Sequence, residues 1–127
     1  MNYRILVVDD EKDILTVICS VLEKCGHDFI TEGFTSPVAA LDRFRANPEA
    51  FDLVLTDIRM PRMLGFEMAL QMQKIRPAVR VAFMSAFDID ERIPGYSPTV
   101  RKEDVIYKPS GIFRLCQRLE KFFASSA

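Results

Sequence analysis

The chain has 127 residues, 49% of them apolar, with 17 basic against 18 acidic side chains and a formal net charge of −1. That length makes one domain able to bury a continuous core, and two domains would not fit. The balanced charge, with no Lys/Arg run longer than two, leaves no electrostatic footprint for nucleic acid, and no apolar run approaches the ~18 residues that would span a membrane.

Tyr3 to Val8 is an apolar run of strand length that ends in Asp9-Asp10-Glu11. From Asp13, the residues Ile14, Val17, Ile18, Val21, Leu22 and Cys25 recur at helical spacing, the stripe of an amphipathic first helix, with Gly26 placed to close it. His27 to Gly33 reads as a weaker second strand. Ser36-Pro37 then supplies an N-cap and a proline at the first helical position, and Val38, Leu41 and Phe44 carry a second helix as far as Asn47-Pro48. Phe51 to Thr56 is a short buried third strand that delivers Asp57 to its end before the turn at Met60-Pro61. Gly65 to Ile75 makes a third helix closed by Arg76-Pro77, and Val79 to Met84 a fourth strand ended by Ser85.

Phe87 to Glu103 resists a regular assignment, because Pro94, Gly95 and Pro98 forbid a continuous helix; a short or broken fourth helix is expected there. Val105 to Tyr107 is a short fifth strand running into Lys108-Pro109. Ile112, Leu115, Cys116, Leu119, Phe122 and Phe123 then repeat at helical spacing in a fifth helix. The domain is placed at residues 1–124, with a frayed tail at 125–127. Cys19, Cys25 and Cys116 are odd in number and widely spaced, and they are expected as buried thiols in a reducing compartment. A lone His27 and the lack of a C-x-x-C pair argue against zinc. No leader is expected before the first strand, and the chain is expected in the cytoplasm.

The βα alternation predicts an α/β fold: a parallel sheet with helices on both faces and right-handed crossovers. Strands one, three, four and five each end in a chemically capable side chain: Asp9 and Asp10, Asp57, Ser85 and Lys108. Taken by match to known doubly wound sheets of order 2-1-3-4-5, strands one and three are neighbours where the winding reverses, so the three carboxylates would converge in one crevice. Their mutual repulsion calls for raised pKa values or a hard divalent cation, and Mg²⁺ suits one or two direct carboxylates, a carbonyl and several waters. Asp57 could then attack phosphorus as a carboxylate nucleophile, with the Lys108 ammonium and the Ser85 hydroxyl meeting the phosphoryl oxygens. Each group has an ordinary alternative: Asp9 and Asp10 as caps of the first helix, Asp57 as a turn residue, Ser85 as a loop hydroxyl, Lys108 as a solvated helix entry. Met60, Met63, Met68, Met72 and Met84 read as gap-fillers.

The ordered set Val7-Val8-Asp9-Asp10, Asp57-Ile58-Arg59-Met60-Pro61 with Gly65, Ser85-Ala86 and Lys108-Pro109 resembles the receiver domain of two-component response regulators across nearly the whole chain. The resemblance implies a flavodoxin-like (βα)5 doubly wound sandwich with a five-stranded parallel sheet of order 2-1-3-4-5. It implies Asp57 as phosphoacceptor, Asp10 as a direct Mg²⁺ ligand, Asp9 acting through water and Arg59 giving a backbone carbonyl. Ser85 matches the switch hydroxyl and Lys108 the lysine paired with the phosphoryl group. The implied partners are a sensor histidine kinase or histidine phosphotransfer protein and a downstream effector domain or protein, without nucleic acid or membrane, and with a phosphorylation-linked dimer open. Departures are Val105 where the family usually carries Tyr or Phe, Leu64 before Gly65, and Ser110 after Lys-Pro.

The function expected is a phosphorylation-dependent signalling switch, not an enzyme, although such a domain can catalyse its own phosphoryl transfer and dephosphorylation. The alternative is a receiver-like binding module that does not switch. An aspartate-nucleophile phosphatase of the haloacid dehalogenase type is set aside, because Arg59 stands where its general acid belongs and the acidic pair comes early rather than late.

Overall fold

A computed structural model describes residues 3–25, 29–85, 105–107 and 114–125. Its strands are β1 (Tyr3–Val8), β2 (Phe29–Phe34), β3 (Leu53–Asp57), β4 (Val81–Ser85) and β5 (Val105–Tyr107), in the order β2-β1-β3-β4-β5. Every pairing is parallel, so the flavodoxin-like doubly wound order stands. Burial explains why β3 reads as an unbroken apolar run: it is a central strand covered on both faces, and all of its residues are buried. At the sheet edge, β2 keeps Ile30 exposed and Thr31 and Glu32 half-buried, which is why its signal in the sequence is weak.

Alternate strand residues serve opposite faces, and the helices divide accordingly. Helix α1 (Lys12–Glu23) and the C-terminal helix α4 (Leu115–Ser125) set Ile18, Leu22, Leu115 and Leu119 over Ile5, Val7, Leu53, Leu55 and Met84. Helices α2 (Pro37–Ala46) and α3 (Gly65–Ile75) set Leu41, Phe44, Phe66, Met68 and Met72 over Leu6, Val8, Val54 and Phe83. The methionines at 60, 63, 68, 72 and 84 all belong to these two cores, as gap-fillers should. Ser36 caps α2 as expected, its hydroxyl accepting the Ala39 N–H at 3.2 Å.

Boundaries shift where side-chain burial and strand pairing part company. Phe51 is buried but precedes β3, because Pro48–Ala50 forms a single 3₁₀ turn that Arg76 ties down by donating to the Phe51 and Pro48 carbonyls at 2.7 and 3.3 Å. Asp57, placed after the third strand from sequence, is its last residue. The expected broken fourth helix, Gly26, His27, Lys108 and Ser110 lie outside the described residues, and α4 is the fifth helix of the sequence reading.

The cysteines correct an expectation. Cys25 and Cys116 are joined in a disulfide, with Cα atoms 5.8 Å apart, and only Cys19 is a free, half-buried thiol. The 91-residue separation concealed the pairing, since the winding returns the last helix to the side of the first.

Candidate functional site

The site grows from strand register. Val8 of β1 lies opposite Thr56 of β3, so the next residues, Asp9 just past β1 and Asp57 at the end of β3, reach the same edge. Asp9 is fully buried; its N–H donates to the Phe34 carbonyl of β2 at 3.0 Å, and its Oδ1 accepts the Glu11 N–H at 2.9 Å. That bond holds a tight acidic turn, and the N-cap of α1 is Glu11, without a side-chain cap. The plain capping role for Asp9 and Asp10 therefore does not describe this loop.

Asp57 is 9% exposed, and its Oδ1 accepts the Ile58 N–H at 2.9 Å. The same Ile58 N–H is shared with the Met84 carbonyl of β4 at 3.1 Å, which anchors the exit of β3 to the neighbouring strand. Asp10, half-buried, completes the group. One carboxylate oxygen from each of Asp9, Asp10 and Asp57 lies within 4.8 Å of the others. At that separation two full charges repel by at least about 3.5 kcal/mol at an effective dielectric near 20. Hard divalent cations are coordinated by oxygen at 2.0–2.6 Å, so carboxylate oxygens this close fit one ion held directly by some and through water by others. The donor set, all oxygen and anionic, suits Mg²⁺ and not a thiolate- or imidazole-seeking metal.

The loop after Asp57 is closed by Gly65. Its N–H donates to the Ile58 carbonyl at 2.7 Å, and a Cβ there would collide with the Asp57 backbone oxygen. The sequence marks Gly65 as the start of the third helix and a motif member; its structural reason, that the first turn of α3 touches the backbone of Asp57, has no signal in composition or spacing. Arg62 in the same loop takes φ = 73°, an uncommon value for a non-glycine residue. The Arg59 side chain is exposed on this loop. Ser85 ends β4 opposite Tyr107, which places its backbone at the same edge; Lys108 lies outside the described residues.

The sequence profile of the response regulator receiver domain matches residues 5–120. The chain belongs to this family. Response regulator receiver protein CpdR of Brucella abortus is 32% identical over 123 residues, covering 97% of this chain and 98% of that protein. A response regulator receiver domain protein from Clostridium thermocellum superposes with a TM-score of 0.76 at 28% identity, over 94% of this chain and 92% of its own. The BeF3-activated DrrB receiver domain gives a TM-score of 0.71 at 26% identity, over 98% and 99% of the two chains. Other curated relatives are longer, and the chain spans half of their length or less. As a receiver domain the chain is a phosphoacceptor regulatory module of two-component signalling, a phosphorylation-dependent switch with an acidic pocket made by Asp9, Asp10 and Asp57.

Proposed function

We propose that Asp57 is the phosphoacceptor and that a histidine kinase or phosphotransfer protein is the donor. The convergence of three carboxylates on one edge carries this reading. An Asp57 carboxylate oxygen forms the new bond to phosphorus as the P–N bond of a donor phosphohistidine breaks and the departing imidazole takes up a proton. The product is a mixed anhydride on Asp57. Ile58 N–H holds the Asp57 carboxylate in a fixed plane, so the attacking oxygen is oriented before the donor arrives. Asp10 and Asp57 would hold Mg²⁺, with Asp9 acting through water and Arg59 through its backbone carbonyl; when bound, the ion supplies charge neutralisation for the transferring group. The role assigned to Lys108 is an ammonium paired with the phosphoryl oxygens, and that of Ser85 a hydroxyl donated to one of them.

Phosphorylation at this edge would redistribute loops after β4 and alter a face read by a downstream domain or protein. Membership of the receiver family supports a domain working in the cytoplasm on protein partners. The test uses a small acyl phosphate donor with Mg²⁺ and intact-mass measurement. The wild-type chain should gain one phosphoryl group, removable by hydroxylamine, and Asp57→Asn should gain none. A variant that still gains a hydroxylamine-sensitive phosphate at the wild-type level would remove Asp57 from the role. Where the phosphoryl group is gained but backbone NMR signals beyond Ser85 do not move, the domain binds without switching.

A further inference from the structure

We infer that Cys25 and Cys116 form a reversible modification site for low-molecular-weight thiols and disulfides, separate from the acidic pocket. Cys25 follows the C-terminal end of α1, Cys116 sits in the first turn of α4, and their Cα atoms are 5.8 Å apart, inside the range a disulfide spans without moving the backbone. The helices are held side by side independently of the bond, by Ile18 and Leu22 of α1 and Leu115 and Leu119 of α4 in one core. Both redox states are therefore accommodated by the same packing.

The Val21 carbonyl oxygen lies 3.4 Å from Cys25 Sγ and 3.8 Å from Cys116 Sγ. In the reduced pair that oxygen is in place to accept a thiol S–H, so opening the bond leaves no buried donor without an acceptor. Access is unequal. Cys25 is 9% exposed while Cys116 is half-buried, so an external thiolate reaches Cys116 first. In closing, the Cys116 thiolate attacks an oxidised glutathione-type disulfide, forming a mixed disulfide and releasing one small thiolate. Cys25, deprotonated, then attacks Cys116 Sγ and releases the second. The two cysteine sulfurs are oxidised, the small disulfide is reduced to two thiols, and the two protons lost by the cysteines end on them. Opening is the reverse, driven by a small thiol. Cys19 serves as the internal control: it is a free thiol elsewhere on α1, against Gly33 of β2, and burial pushes its pKa up, which slows its reaction.

The experiment equilibrates the full chain in graded mixtures of reduced and oxidised glutathione, traps free thiols with an alkylating reagent and maps the products by mass spectrometry. The expected result is a single transition between a Cys25–Cys116 linked form and a form with both alkylated, with Cys19 unlinked throughout. The reduced chain should melt about 10 °C below the oxidised one, because a cross-link closing so long a loop constrains the unfolded chain. Cys25→Ser and Cys116→Ser should each melt near the reduced wild type and ignore reductant. The trapping needs no variant, so a serine chain that fails to fold leaves the test intact. A persistent mixed disulfide on Cys116, a link that includes Cys19, or identical melting of both wild-type forms would overturn the proposal.

Discussion

Gly65 shows how one atom can govern the site. A methyl group at that position meets the Asp57 backbone oxygen, which cannot move without breaking the β3 exit, so Gly65→Ala should cost about 1–3 kcal/mol and slow phosphoryl acceptance together. Thermal melting read beside acceptance from a small donor checks it, and a variant with wild-type melting and rate would show that the loop has slack. The acidic group makes a second prediction of opposite sign. With the ion chelated, Asp10→Asn removes one of three crowded charges and should raise stability by about 1 kcal/mol, discounted because Asp10 is half-buried and solvent screens it. Melting in chelator reads this, and a lower midpoint would mean that the charges are already offset by the protein. Cys19 adds a pH dependence. Burial, and to a smaller degree Glu23, push its thiol pKa up against a weaker opposing hydrogen bond from Thr31. The folded form keeps its proton where the unfolded chain has lost it. This contribution to stability is thus intact below the ordinary thiol value and is lost as pH rises through the folded value. Alkylation of Cys19 should lag that of an unhindered cysteine at neutral pH and catch up in alkali. At this scale the carboxylates were legible because acidic residues at strand ends are chemically conspicuous, whereas the reason for Gly65 and the conformation of Arg62 were not, since backbone clashes and a left-handed φ leave no trace in residue type alone.

Elements were legible where burial and hydrogen bonding agree. β1, α3 and β5 have the bounds their periodicity predicts, and Ser36-Pro37 starts α2 as its chemistry dictates. β3 differs at its start because Phe51 is buried for the core without joining the strand: its ring lies beneath the Arg43 guanidinium at 4.9 Å, and Arg43 also holds Glu32 of β2 at 3.0 Å. An apolar residue with extended backbone thus reads as strand although it lies between the 3₁₀ turn and the paired residues. The C-terminal helix shows packing that spacing alone suggested only in outline. Phe123 of α4 stacks on Tyr3 with ring centroids 3.9 Å apart and lies 5.7 Å from Phe29, so the first strand, the edge strand and the last helix meet in one aromatic cluster. Phe123→Ala should cost about 3 kcal/mol, the low end of the range for a buried phenylalanine because the ring is partly exposed, and denaturant unfolding measures it. A loss under about 1 kcal/mol would mean that the stack contributes little.

For the molecule as a whole, the winding of the sheet does the assembling. Parallel strands with β1 and β3 side by side bring carboxylates separated by more than a third of the chain to one edge, and the same winding brings Cys25 and Cys116 together behind it. The first convergence was legible because strand ends can be counted in sequence; the second was not, because helix neighbours follow from sheet order and not from spacing. Any ion that binds only the folded pocket stabilises it by mass action, about 2.7 kcal/mol at a hundredfold excess over its dissociation constant. The central claim, that Asp9, Asp10 and Asp57 act as one cation site, is tested most directly by calorimetric titration of Mg²⁺ into the wild-type chain and into the three single Asp→Asn variants. The wild type should show one site, weakened at least tenfold by Asp10→Asn and by Asp57→Asn and less by Asp9→Asn; unchanged affinity in all three variants would rule out a shared site.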